Sequence, residues 1–133
     1  MIKTSISKET ILRTGIFFAL LTVAIGAFGA HGLSDLLTEN GRLETFKTAV
    51  LYQLFHSIAL ITCGILFEKY DSKKIKISYI LFTLGIIVFS GSLYILSISN
   101  IGIFGAITPI GGVLFLVGWF YLFLSIKPSH STI

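Results

Sequence analysis

Four uncharged apolar stretches, at about residues 14–32, 48–67, 77–99 and 103–126, occupy most of this 133-residue chain. Each is close to the ~20 residues that a helix needs to cross a hydrocarbon core about 30 Å thick. None holds an Asp, Glu, Lys or Arg. Lipid offers no partner to a bare N–H or C=O, so a spanning segment must satisfy its backbone internally, as a helix does. The expected fold is therefore all-α: a four-helix transmembrane bundle forming one integral membrane domain over residues 1–133. With only 12% charged residues and a mean hydropathy of +0.93, the chain could not cover the surface of a water-soluble domain.

The charges between the stretches predict a topology. Lys3, Lys8, Arg13, Lys69, Lys73, Lys74, Lys76 and Lys127 fall on the side that carries both termini, and only Arg42 and Lys47 on the other. Short loops rich in Lys and Arg stay in the cytoplasm, which places both termini there. The net charge of +4 does not indicate nucleic acid, because the basic residues flank spans and form no patch with aromatics interleaved. Anionic headgroups are their natural partners. The first stretch has some signal-peptide character, with a basic flank and the small-residue segment 27–30. It is long for such a segment and three more stretches follow, so it reads as a span.

The connections carry their own signals. Ser34 as N-cap, Asp35 in the first turn and Asn40-Gly41 as a stop predict a short interfacial helix over 34–40 between spans one and two. In span four, Thr108-Pro109 reads equally as N-cap and first residue of a helix running to about Ser125, or as a kink inside a longer one.

Polar residues inside the spans point to a site. Tyr52, Gln53 and His56 lie one turn apart on span two, and a Gln and His facing lipid would be costly. They should face the interior. His31 ends span one, Tyr94 lies near the end of span three and Thr108 near the start of span four, all toward the same side. These six residues predict a polar pocket in the outer half, a ligand-binding hypothesis weighed against plain hydrogen-bonded glue between helices. Gly26, Gly29, Gly32, Gly91, Gly111 and Gly112 are the expected helix-packing positions, since small residues let backbones approach in lipid.

Other chemistry finds little footing. Cys63 is the single cysteine, which excludes an intrachain disulfide and reads as a small buried apolar side chain. His31 and His56 lie at different depths and no third ligand accompanies them, so neither metal nor cofactor is expected. His130, in the polar tail, is read as inert. No serine has an evident His–acid partner, and no phosphate-cradling loop is present.

The stretches 26–33, 48–56, 89–94 and 107–112, with Trp119, together resemble the domain-of-unknown-function 423 family of small bacterial inner-membrane proteins, related to eukaryotic transmembrane protein 256. The resemblance covers nearly the whole chain in order. It implies a four-helix protein of the inner membrane and brings no activity with it. Phe46 stands where many members are expected to carry tryptophan. The resulting expectation is a non-enzymatic multi-pass protein whose pocket binds a lipid, a quinone or a partner helix, with possible homo-oligomers or a partner membrane protein. The alternative is a subunit of a small transporter or channel with His56 as its titratable group.

Overall fold

The computed structural model describes residues 5–127. Lys3 and His130 lie outside the described residues. The elements are α1 (Lys8–His31), α2 (Ser34–Glu39), α3 (Leu43–Leu66), α4 (Ser72–Gly85), a π-helical turn (Ile86–Ser90), α5 (Gly91–Ser99) and α6 (Ile103–Ser125). α4, the π turn and α5 run on as one rod, Ser72–Ser99. Among the described residues there are four helices long and apolar enough to cross a membrane: α1, α3, this rod and α6.

Three of the four spanning helices begin earlier than their apolar stretches do. α1 starts at a Ser7 cap whose side chain accepts from the Thr10 N–H, and α4 starts at an Asp71 cap that accepts from the Lys73 and Lys74 N–H groups. The charged first turns belong to the helix but not to the hydrocarbon. Hydropathy marks the lipid boundary, whereas capping chemistry marks the helix boundary.

One local expectation needs correction, and one open alternative is decided. Ser34 is the first residue of α2 and not its cap; Leu33 occupies the cap position without a side-chain bond, and the Ser34 hydroxyl turns back to donate to the His31 carbonyl. The stop at Asn40-Gly41 does form, with Gly41 at φ 65°. The open alternative concerned Thr108-Pro109 in span four, where the reading of a proline inside a longer helix is the one that forms. α6 is helical from Ile103, and Thr108 lies inside it with its hydroxyl donating to the Phe104 carbonyl. An unwound segment would bare several backbone groups to lipid. A proline in a continuous helix costs one hydrogen bond, that to the Gly105 carbonyl.

The packing order is a curved row. α1 lies along α3, α3 along the π turn and α5, and α4 along α6. α1 and α6 are the ends of the row, with only 17% and 22% of their spans buried against 44% for the two between. Close backbone approach is set by glycine at particular places. A Cβ on Gly15 would lie 2.8 Å from Ile61 Cγ1 and 2.9 Å from its backbone nitrogen, and one on Gly111 would lie 2.5 Å from the Phe89 nitrogen. Two apolar cores result. One, on the side of the termini, holds Ile11, Leu60, Cys63, Ile75, Phe82 and Phe115. The smaller one, toward the other side, holds Ala49, Leu93 and Leu96.

Polar groups tie the helices together at both ends of the bundle along the helix axes. On the α2 side, the Asn40 side-chain amide donates to the Ser97 and Ile98 carbonyls at 3.0 and 3.1 Å, and Arg42 Nε donates to Asn100 Oδ1 at 2.9 Å. On the other side Asp71 joins α4 to the end of α6. Its carboxylate pairs with Lys74 at 2.7 Å and Lys127 at 3.2 Å, and its N–H donates to the Ser125 carbonyl. The Lys74 ammonium and N–H, then Lys127, hold the Asp71 carboxyl well below the usual carboxylate range. A carboxyl depressed on folding stabilises the fold above its unfolded pKa of about 4, and that stabilisation is lost as acid protonates it. The thermal midpoint of the protein should therefore fall below about pH 4, and Asp71→Asn should lower it at pH 7 and flatten the acid dependence. Parallel pH profiles for the two proteins would remove Asp71 from this role.

Candidate functional site

Among the described residues, four side-chain hydrogen bonds join other helices to α3: Gln53 to Phe18, Ser90 to Ala49, Tyr94 to Gln53 and Trp119 to His56. Gln53 is 2% exposed and bridges its two neighbours. Its amide donates to the Phe18 carbonyl of α1 at 3.1 Å, and its oxygen accepts from the Tyr94 hydroxyl of α5 at 2.7 Å. One turn on, Ser57 donates to the Gln53 carbonyl, and Ser90 reaches from the π turn to the Ala49 carbonyl of α3 at 2.8 Å. The bonds of Gln53 and Ser90 between helices hold spans together at about 0.6 kcal/mol each on average, while that of Ser57 stays within α3.

His56 lies near the middle of α3 and is 3% exposed. Trp119 of α6 donates its indole N–H to His56 Nε2 at 3.0 Å. Nε2 is therefore the acceptor, and Nδ1 carries the proton and donates to the Tyr52 carbonyl at 2.8 Å. Both ring nitrogens are engaged. The ring stacks on Phe115 with centroids 3.5 Å apart and planes 8° from parallel.

Tyr52 differs. It is 41% exposed within a span, and its hydroxyl has no hydrogen-bond partner among the described residues. Its ring stacks on Phe89 at 4.5 Å and faces a groove of about 420 Å³ between α3 and α6. Tyr52 and His56 line one wall, Phe89 and Phe115 the floor, and Pro109, Gly112, Val113, Leu116 and Trp119 the other wall. The α6 residues recur at helical spacing, so one stripe of α6 faces the groove. Val113 and Leu116 are well exposed at its rim, which within a span means exposure to lipid.

Other expected site residues lie apart from the groove. Thr108 hydrogen-bonds Ser92 at 2.7 Å, fastening α6 to α5. Tyr94 joins Gln53 on the opposite side of α3, near a separate apolar hollow with Phe28, Phe46 and Ile98. His31 is exposed in the last turn of α1. The structure thus brings Tyr52 and His56 to one groove, couples Gln53 with Tyr94 elsewhere, and leaves His31 and Thr108 outside both.

The glycines divide as well. Gly29 receives the Phe46 ring and Gly111 the Phe89 backbone, whereas Gly26 has only an ordinary contact with Val50 at 3.4 Å. A Cβ on Gly32 would meet Phe28 of its own helix; one on Gly91 would meet nothing within 4 Å, and one on Gly112 only Phe89 at 3.9 Å. Gly112 is a notch in the groove wall and not a helix contact. Trp119 is the residue that inspection of polar positions passes over. Its signal was present: it lies ten residues after Pro109 and seven after Gly112, on the same face.

Among the described residues, no three His, Cys, Asp or Glu side chains cluster to hold a metal ion.

Comparison with known proteins places the chain. The family model described as "Protein of unknown function (DUF423)" matches residues 25–112, which include His31, Tyr52, Gln53, His56, Tyr94, Thr108 and Gly112. A UPF0382 membrane protein of Staphylococcus saprophyticus is 45% identical over 108 residues, covering 81% of this chain and 88% of its own. The UPF0382 membrane protein YwdK of Bacillus subtilis is 42% identical, covering 79% and 85%. The UPF0382 inner membrane protein YgdD of Escherichia coli is 39% identical, covering 73% of each. No solved structure matches the chain. Spans, match and relatives agree that this is a multi-pass membrane protein belonging to the DUF423 family, whose function is unknown.

Proposed function

We infer that this protein is a non-enzymatic binding protein of the cytoplasmic membrane, and that its α3–α6 groove takes up a small amphipathic ligand directly from the lipid phase. One observation carries the reading: a lipid-facing groove whose wall holds Tyr52 with an unpartnered hydroxyl. A polar group at that depth is costly unless something pairs with it, and a bound ligand is the simplest partner. The shape agrees, because ligand sites are concave, mostly apolar and furnished with few polar groups.

The transporter reading draws less support. His56 would have to carry a proton on Nε2, which already accepts from Trp119, so each charging step would break that bond. The tightest glycines, Gly29, Gly64, Gly85 and Gly111, are used within the chain, which leaves self-association without a favoured face. The eight-to-two distribution of Lys and Arg supports cytoplasmic termini, and a reporter fused after Ile133 that appeared outside the cell would overturn that orientation.

Native mass spectrometry of the protein released from mild detergent tests the binding function, side by side with Gly112→Leu. A Cβ at this position meets only the edge of the Phe89 ring at 3.9 Å, an ordinary contact, so the variant should fold. A bound mass on the natural protein that the variant lacks is the expected result. Identical bare masses for both would remove the function.

A further inference from the structure

We propose that the ligand of the α3–α6 groove is a quinone: a flat, uncharged, carbonyl-bearing ring on a hydrophobic tail. The proposal rests on the groove being a ligand site, as read above, and adds the chemical class.

Charge excludes the commonest membrane molecules. No Lys or Arg lies within residues 48–68, 77–99 or 103–126, which supply every wall of the groove. A phosphate or carboxylate headgroup held beside Tyr52 would be a buried charge without a counter-charge, at a cost of several kcal/mol. The head that sits there must be neutral. It must also pair with the hydroxyl of Tyr52, which the groove leaves free and which can donate to a carbonyl oxygen. The Trp119 N–H is committed to His56, and both His56 nitrogens are engaged. A carbonyl oxygen meets both requirements.

Shape selects a planar head. The rings of Tyr52, Phe115 and His56 lie nearly parallel: Tyr52 is 26° from Phe115, and His56 is 8° from it. Tyr52 itself lies 28° from Phe89. Aromatic rings prefer offset stacking on such a set, and a quinone ring extends it. The Gly112 notch opens the facing wall, and a space of about 420 Å³ admits one or two fused rings. The tail then leaves past Val113 and Leu116 into lipid without crossing a polar surface.

The chain carries its own reporter. Trp119 is the only tryptophan and lies in the groove wall, where a bound quinone would quench its fluorescence. The experiment titrates a decyl-tailed benzoquinone into the purified full chain in detergent, with decylbenzene as the tailed ring that has no carbonyl. The expected result is saturable quenching by the quinone, no displacement by decylbenzene, and affinity about fivefold weaker in Tyr52→Phe, which loses one hydrogen bond but keeps the ring stack. Gly112→Leu should abolish saturation. Equal quinone affinity in Tyr52→Phe, or competition by decylbenzene at equal concentration, overturns the proposal. A phospholipid with brominated acyl chains is the second quencher. If it saturates, the quinone does not, and Gly112→Leu prevents it, the quinone class fails while the groove remains a ligand site. If neither quencher saturates, both readings fail. Tyr52→Phe is nearly isosteric, so the result stands even should Gly112→Leu fold poorly.

Discussion

Gly111→Leu should leave little folded protein, whereas Gly112→Leu, one residue on, should melt close to the natural chain. A Cβ on Gly111 would lie 2.5 Å from the nitrogen, 2.6 Å from the Cβ and 2.7 Å from the Cα of Phe89. Two of those neighbours are backbone, in the π turn of a rod packed on both sides, so they cannot swing away. The remaining response is to move α6 off the rod. That separation would disturb Phe115 against Gly85 and the Phe82 ring against Gly118, contacts with equally little room. Overpacking usually costs about 1–3 kcal/mol where a side chain can adjust, and this site should reach or exceed the top of that range. Gly112 would meet only the edge of Phe89 at 3.9 Å, an ordinary contact. Thermal midpoints followed by size-exclusion chromatography after heating would decide it. Equal midpoints for the two variants would mean that α6 does not sit on the π turn as described.

His56→Ala should be the second most damaging change, and chiefly through packing. The variant removes a ring stacked 3.5 Å from Phe115 and in contact with Trp119 and Phe82, and leaves a cavity in the middle of a span. Large-to-small changes of this kind cost about 2–5 kcal/mol. His56→Phe keeps a ring and loses only the bonds of the two nitrogens, at about 0.6 kcal/mol for an inter-span bond. The order of midpoints should be the natural chain, then His56→Phe, then His56→Ala, with the larger interval last. Trp119 emission should shift to shorter wavelength in both variants, because its N–H loses its acceptor. If His56→Phe fell as far as His56→Ala, the hydrogen bond would outweigh the ring, and His56 would be a polar keystone.

Much of the architecture could be read from the order of residues, and particular positions show why. Lipid removes water as a partner for the backbone, so four uncharged runs of about 20 residues can only be helices. The Asn40-Gly41 stop was equally legible, because glycine at positive φ is a local property. Gln53 and His56 were identifiable as inward-facing from cost alone, and both are buried. The cap at Ser34 misled, and of the two readings left open at Thr108-Pro109 the break gave way, for one reason. Each is a local preference, and the preference gives way when the alternative leaves a helix intact.

Partners lay beyond the reach of sequence. Nothing in the spacing of Gln53, His56 and Tyr94 tells whether they meet one another. Gln53 met Tyr94 because α5 lies along α3, and His56 met Trp119 because the α4–α5 rod carries α6 beside it. Nor could composition distinguish Gly111 from Gly112. The two are identical and adjacent, yet a helix turns about 100° between them, so one faces a neighbouring backbone and the other a groove. The sequence by itself determined the number of spans, the residues too polar to face lipid and the charge asymmetry across the membrane, because each depends on transfer between water and hydrocarbon, residue by residue. Only the tertiary structure decided which polar groups are satisfied and which, like the Tyr52 hydroxyl, are left without a partner among the described residues, because that depends on the rotation and order of helices that touch across long separations in the chain.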